Sequence, residues 1–125
     1  MSILPEHIRL AFADREGPAI FATVDPAGAP NAAYVGAMSL CGEDAVAIAD
    51  NYFHKTRANL IAGSRASLLF LTKERKSYQL KGRVEYLTSG PIFEGMKSWN
   101  PPRHPGVATA LLRVEEIYSG AQRLV

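Results

Sequence analysis

The segment best suited to chemistry is "NYFHKTRANL", residues 51–60, which follows the small apolar run "AVAIAD". It brings a charged amine at Lys55, a hydroxyl at Thr56 and an amide one helical turn later at Asn59. If a helix begins here, its first backbone N–H groups are unpaired and carry partial positive charge. Such a corner suits a phosphate group. The alternative is a plain helix cap at Thr56 beside a surface lysine, and composition alone leaves both interpretations open.

A second unusual feature is the strand-like stretch "NAAYVGAMS", which is rich in small residues. Gly36 stands in its interior, where glycine weakens packing and often marks a close approach of another group to the backbone. A flat ring lying along this strand would be recognised by main-chain N–H and C=O groups. The alternative is that Gly36 forms a bulge or turns a corner of a barrel.

Other kinds of reactive centre find little support. The single cysteine, Cys41, has no base beside it, and no Gly-x-Ser-x-Gly turn is present. The three histidines are too far apart in sequence to resemble a metal cage: His7, His54 and His104. We therefore predict no metal ligands and no catalytic side chain.

Composition indicates a soluble globular protein with one domain over residues 1–125. Of the 125 residues, 47% are apolar and 21% charged, and the net charge is +2, which does not favour nucleic acid as a partner. No apolar stretch approaches the roughly 18 residues of a membrane span. The first 17 residues lack the pattern of a secretory signal, and one cysteine precludes an internal disulfide. These features predict a cytoplasmic protein.

Hydrophobic periodicity and turn residues predict three short helices and six strands. The helices are expected at Pro5–Arg15, Thr56–Ala62 and about Pro91–Trp99. The strands are expected at Ala19–Val24, Asn31–Leu40, Ala45–Asp50, Arg65–Thr72, Ser77–Thr88 and Val107–Ser119. Gly82 is a possible bulge in the fifth strand. Most links are too short for parallel crossovers, so the sheet is expected to be antiparallel and to close into a barrel.

The segments "ATVDPAGAPNAAYV", "HKTRANL" and "GRVEYLTSGPIFEGM", in this order, resemble the FMN-binding split-barrel family, the superfamily of pyridoxamine 5′-phosphate oxidase. The resemblance extends from about Ala19 to the C-terminus, and its most specific part is "HKTRAN". It implies a mainly β fold, a six-stranded antiparallel split β-barrel with three short helices. It also implies a homodimer that binds FMN at the interface, so that each site draws on both chains.

The resemblance further implies roles for particular residues. The phosphate would be held by Lys55 and Thr56, supported by Asn59. The isoalloxazine ring would be lined by Tyr34, Val35, Gly36 and Ala37. The ribityl chain and phosphate would be bordered by Ala49, Asp50 and Asn51. The flavin would also be reached by Gln79. The partner's flavin would be covered by Trp99, the 101–102 loop, Leu124 and Val125, unless this loop and tail only pack on their own chain.

Three functions are consistent with these features. The first is an FMN-dependent oxidoreductase acting on a small molecule, and the second is an FMN-binding electron carrier without an organic substrate. The third is a flavin-free barrel that binds nucleic acid or a protein, which the small net charge disfavours. The oxidase carries a further C-terminal segment with basic residues that recognise the substrate phosphate. No counterpart is evident in this sequence, so oxidation of pyridoxamine phosphate itself is not expected. A deazaflavin in place of FMN stays open.

Overall fold

The computed structural model describes residues 4–125, which form three helices and eight strands. The helices are α1 (Glu6–Ala13), α2 (Lys55–Ile61) and α3 (Pro91–Trp99). The strands are β1 (Ala19–Val24), β2 (Pro30–Val35), β3 (Met38–Cys41), β4 (Ala45–Asp50), β5 (Ala66–Leu71), β6 (Ser77–Leu87), β7 (Ala108–Ser119) and β8 (Gln122–Arg123). Within these residues, no helix has the length and apolar character needed to cross a membrane.

All eight strands belong to one antiparallel sheet in the order β2-β1-β5-β6-β7-β4-β3, with β8 added to β7. The two edge strands, β2 and β3, are joined by only residues 36–37. Because this link is so short, the sheet must curl until the end of β2 and the start of β3 meet at one corner, where the backbone amide of Ala49 donates to the carbonyl of Ala37 at 3.0 Å. The prediction of a mainly β, antiparallel fold is confirmed.

The predicted count of six strands was wrong for two reasons. The stretch expected as one strand over Asn31–Leu40 is two strands, because the chain leaves one edge of the sheet at Val35 and joins the opposite edge at Met38. The second reason is the short strand β8, which pairs with the end of β7. Gly36 therefore turns a corner of the barrel, which was one of the two interpretations of this glycine.

The strand β4 explains why "AVAIAD" lacks the alternation of a half-exposed strand. All six of its residues are buried. Val46 and Ile48 face the main core inside the barrel, whereas Ala45 and Ala47 pack under α3 in a second cluster that includes Trp99. Burial on both faces removes the need for polar residues at alternate positions. It also carries the end of β4 into the middle of the molecule, where the chain enters the 51–54 turn.

The long hairpin of β6 and β7 is interrupted at the predicted bulge. The register shifts between Lys81 and Gly82, so that Gly82 lies opposite Val114. A Cβ atom at Gly82 would lie 1.8 Å from the carbonyl oxygen of Arg113, a distance that no side chain tolerates. Only glycine lets the two backbones approach this closely.

We predict that Gly82→Ala lowers the free energy of unfolding by about 1–3 kcal/mol or more, because the added methyl group must displace the β7 backbone. Denaturant titration measures this loss. The matched control is Gly95→Ala within α3, where a Cβ atom meets nothing within 4 Å. Alanine in a helix should raise stability there by about 0.5–1 kcal/mol. Equal stabilities for the two variants would contradict the account of the bulge.

Candidate functional site

A cavity of about 710 Å³ lies where β2, the 51–54 turn and the loop after α3 meet. Its walls are formed by Arg15, Asn31, Ala32, Ala33, Tyr34, Val35, Gly36, Ala37, Met38, Ala49, Asn51, Tyr52, Phe53, His54, Lys55, Thr56, Trp99, Pro101, Arg103 and His104. Three of these residues are Arg or Lys, two are His, and none is Asp or Glu. The cavity therefore favours an anionic ligand.

The polar corner of the cavity is built by Asn31, Lys55 and Thr56. Thr56 is 3% exposed, and its Oγ1 accepts a hydrogen bond from Asn31 Nδ2 at 2.9 Å. Because a hydroxyl carries one proton and two acceptor positions, Thr56 keeps its own proton for a further acceptor. Lys55 is exposed beside it and has no carboxylate partner among the described residues. The helix α2 has only seven residues, so the side chains, rather than a helix dipole, make this corner attractive to a phosphate.

The 51–54 turn is stabilised by the buried carboxylate of Asp50. Asp50 has no exposed surface, and it accepts hydrogen bonds from Arg57 at 2.8 and 3.0 Å. It also accepts from the hydroxyl of Tyr86 and from the backbone N–H of Phe53 at 3.0 Å. These bonds connect the end of β4, the turn, the helix α2 and the strand β6, so the orientation of Lys55 and Thr56 depends on them.

The protonation of this network is set by burial and by charge. Desolvation, and then the hydrogen bond to Asp50, raise the pKa of Tyr86 to about 12. The hydrogen bonds from Arg57 to Asp50 raise the pKa of Arg57 above its ordinary value, against a smaller opposing effect of desolvation. Near neutral pH, Tyr86 and Arg57 therefore keep their protons and both donate to Asp50.

The loop after α3 is attached to the same turn by a pair of amides. Asn51 Nδ2 donates to Asn100 Oδ1 at 3.0 Å, and Asn100 Nδ2 donates back to Asn51 Oδ1 at 2.9 Å. The N–H of Gly106 also donates to Asn51 Oδ1 at 2.9 Å. Both ends of the loop are thus fixed beside the turn. At the rim, Tyr52 Oη and His104 Nδ1 lie 3.0 Å apart in a hydrogen bond.

The wall opposite the turn is the edge strand β2. Its partner in the sheet is β1 on one side, and its other side carries no strand, so alternate main-chain N–H and C=O groups are left without a ladder partner. A Cβ atom at Gly36 would meet nothing within 4 Å, so the chain leaves open space there. A flat ring can approach the main chain along this edge.

The structure brings nine of the thirteen predicted site residues together around the cavity. They are Tyr34, Val35, Gly36, Ala37, Ala49, Asn51, Lys55, Thr56 and Trp99. Their individual roles stay predictions. Asn51 has a clear structural role in addition, because its amide holds the loop after α3.

Four predicted residues do not line the cavity. Asp50 is buried under the turn and supports it through its hydrogen bonds, and its role beside a ligand stays a prediction. Asn59 is also buried, donates to Thr23 Oγ1 at 3.0 Å, and borders a smaller neighbouring cavity of about 350 Å³. Gln79 donates to Ser67 Oγ at 2.8 Å on the β5–β6 hairpin. Val125 packs against the core of its own chain beside Ile117, so covering of a partner's ligand by this tail stays a prediction.

Several lining residues were not anticipated. Asn31 stands directly after Pro30, at the start of a strand of small residues. A polar residue in this position is a sequence signal that could have identified Asn31 as a site residue. Tyr52, Phe53 and His54 lie within the quoted segment next to Lys55. Arg15 gave no signal, because only the folded sheet brings the end of α1 to the cavity. Among residues 4–125, no three His, Cys, Asp or Glu side chains are grouped as metal ligands.

Comparison with known proteins identifies the family. The family model described as pyridoxamine 5′-phosphate oxidase matches residues 4–119, and the chain therefore belongs to this family. An uncharacterized protein of Methanocaldococcus jannaschii is 30% identical over 104 residues, which are 78% of this chain and 69% of that protein.

Solved structures share the fold. HupZ from group A Streptococcus has a TM-score of 0.81 at 26% identity, over 96% of this chain and 95% of that one. An FMN-binding protein from Syntrophomonas wolfei has a TM-score of 0.74 at 18% identity, over 94% and 84%. A heme binding protein from Mycobacterium smegmatis also has a TM-score of 0.74 at 18% identity, over 94% of this chain and 55% of that one.

We predict that Asp50→Asn lowers the free energy of unfolding by about 1.5–3 kcal/mol, because charge-assisted hydrogen bonds to Arg57 are lost. Thermal and denaturant unfolding measure the effect. The control is Glu16→Gln, which removes an exposed carboxylate 3.5 Å from Arg75 and should change stability by less than about 0.5 kcal/mol. An Asp50→Asn protein as stable as the parent would show that the turn is held by other contacts.

Proposed function

We propose that this chain is a flavoprotein that binds FMN in the 710 Å³ cavity and acts as an oxidoreductase. The proposal rests above all on the corner where Asn31 holds Thr56 beside the uncompensated charge of Lys55. This corner opens into a cavity without an acidic residue in its walls. It provides one charge and one hydroxyl proton for a phosphate, in agreement with the family to which the chain belongs.

The rest of the cavity fits the other parts of FMN. The small side chains of Ala32 and Ala33 and the open space at Gly36 leave room along the β2 edge for the isoalloxazine ring. The unpaired main-chain groups of this edge would serve as donors and acceptors for the pyrimidine part of the ring. Ala49 and Asn51, between the ring and phosphate ends, would border the ribityl chain. The named FMN-binding protein of the same fold supports this choice of ligand.

Bound FMN would supply the hydride and electron chemistry, which explains why no acid–base pair dominates the cavity. The chain's own contribution is to bind, orient and shield. The hydrogen bond between Tyr52 and His104 places one exchangeable proton at the rim, where a substrate would enter. Trp99 and the loop after it line the same cavity. Tyr52, His104 and Trp99 lie outside the corner proposed for the FMN phosphate. Their presence in the cavity favours a small-molecule substrate over a pure electron carrier.

We further propose that the active form is a homodimer with each cavity completed by its partner. Tyr34 is 74% exposed and Tyr52 is 69% exposed, although both line the cavity. Large aromatic side chains left in solvent at the rim of a site are typical of a surface covered by another chain. A second copy meeting β2 would bury them and would shield the ring from water.

The cofactor can be identified directly from the purified protein. We expect the absorption bands of oxidised flavin, and release of FMN on denaturation, detected by mass analysis. A heme spectrum instead would contradict the proposal and would align the chain with the mycobacterial protein of this fold. Rapid bleaching of the flavin by NADH or NADPH is expected of an oxidoreductase, whereas an electron carrier should accept electrons only from a protein donor.

We predict that Lys55→Ala weakens FMN binding about tenfold to a hundredfold, since a charge-assisted hydrogen bond contributes roughly 1.5–3 kcal/mol. Thr56→Ala should cost less, because the hydroxyl is neutral. Fluorescence titration of the apoprotein with FMN measures both. The control Lys76→Ala removes an exposed charge on the β5–β6 turn and should bind FMN like the parent. Parental affinity in Lys55→Ala would refute the phosphate assignment.

We predict that Tyr34→Asp shifts the protein from dimer to monomer, because a carboxylate would have to be buried in the contact. Analytical ultracentrifugation at several concentrations measures the equilibrium. The control is Leu10→Asp on α1, at a side chain that is 61% exposed and does not line the cavity. A parent that sediments as a monomer would contradict the dimer proposal, as would a fully dimeric Tyr34→Asp protein.

A further inference from the structure

The proposed phosphate corner leaves one unusual cation in the cavity unexplained. Arg15 is partly buried, lines the cavity, and has no carboxylate partner within the described chain. Its Nη1 atom donates to the carbonyl of Phe12 at 2.9 Å, and its guanidinium lies 4.2 Å from the centre of the Phe12 ring. These contacts fix the side chain without neutralising its charge. Burial also lowers the pKa of Arg15 from its ordinary value.

The sheet places Arg15 at the end of the cavity away from the phosphate corner. Arg15 forms an isolated bridge with Thr72, just before β1 begins, and the first residue of β1, Ala19, pairs with Val35 at the end of β2. Asn31, which holds Thr56, lies at the start of β2. Asn31 and Val35 are four steps apart along the strand, a distance of about 13 Å. The cavity therefore has a positively charged residue near each end of β2, Lys55 at the start and Arg15 at the end.

We propose that Arg15 faces the ring end of bound FMN and stabilises the negative charge that reduction places there. This inference rests on the proposed function. A hydride from a reduced nicotinamide brings two electrons and one proton, so reduced FMN carries one more negative charge than oxidised FMN. A fixed cation beside the ring favours the reduced form, and a cation at the phosphate end affects both forms almost equally.

The other cationic residues of the cavity are less suited to this role. Lys55 is exposed and belongs to the phosphate corner, and Arg103 is exposed on the loop after α3. Charges in water are strongly screened, whereas a partly buried charge interacts more strongly over the same distance. Arg15 is therefore the cation that should discriminate between the oxidation states of the ring.

The test compares the affinities for oxidised and reduced FMN in Arg15→Gln, Arg15→Lys and the parent. In Arg15→Gln we expect oxidised FMN to bind within about threefold of the parent, and reduced FMN to bind about tenfold more weakly. For a two-electron couple this selective loss corresponds to a midpoint potential about 30 mV lower. Arg15→Lys should recover most of the difference. Arg9→Gln, on the preceding helix α1 and outside the cavity, should match the parent.

The outcomes separate this inference from the proposed function. If FMN binds and Arg15→Gln changes both affinities equally, the role of Arg15 is refuted and the flavoprotein proposal stands. If the parent does not bind FMN, the role of Arg15 and the flavoprotein proposal are both refuted. If Arg15→Gln does not fold, the inference is tested on the parent protein by comparing its affinities for reduced and oxidised FMN. It should bind reduced FMN at least as tightly as oxidised FMN, and a tenfold weaker affinity for the reduced form would overturn the inference.

Discussion

The structure of the site depends on one buried carboxylate. Asp50 ends the fully buried strand β4 and accepts hydrogen bonds from Arg57, Tyr86 and the backbone of Phe53. A carboxylate without exposed surface is costly unless each of its acceptor positions is used. Here that requirement forces strand, turn and helix into one arrangement. The arrangement of the turn is therefore set by Asp50, although Tyr52 and His54 within the turn are exposed.

A second constraint acts on the opposite wall of the cavity. The sheet begins and ends with strands that are consecutive in the chain, so the two residues between β2 and β3 must bridge its two edges. This closure leaves the outer edge of β2 unpaired and facing the turn supported by Asp50. Exposed strand edges invite association with other molecules. In this fold the edge is available to a ligand, and the exposed tyrosines beside it are available to a second chain.

The charges of the site follow from these two constraints. The cavity is lined by Lys55 at one end of β2 and Arg15 at the other, and none of its wall residues is acidic. Local sequence around "HKTRAN" accounts for the first cation. The second cation, Arg15, reaches the cavity through pairing between distant segments, because the link between α1 and β1 runs beside the end of β2. This placement of the two cations is the basis for the proposal of a ligand with a phosphate at one end and a reducible ring at the other.

The antiparallel, mainly β class, the approximate bounds of the helices, the bulge at Gly82 and the polar side chains of the "HKT" corner could be predicted from the sequence alone. These are local properties, set by periodicity, turn residues and side-chain type. The folded structure was needed to show that the stretch around Gly36 divides into two strands at opposite edges of the sheet. It also decided that Asp50 supports the turn, that Asn31 holds Thr56, and that Arg15 reaches the cavity. The physical reason is that these contacts join residues far apart in the chain, and the closure of the sheet selects which of them meet.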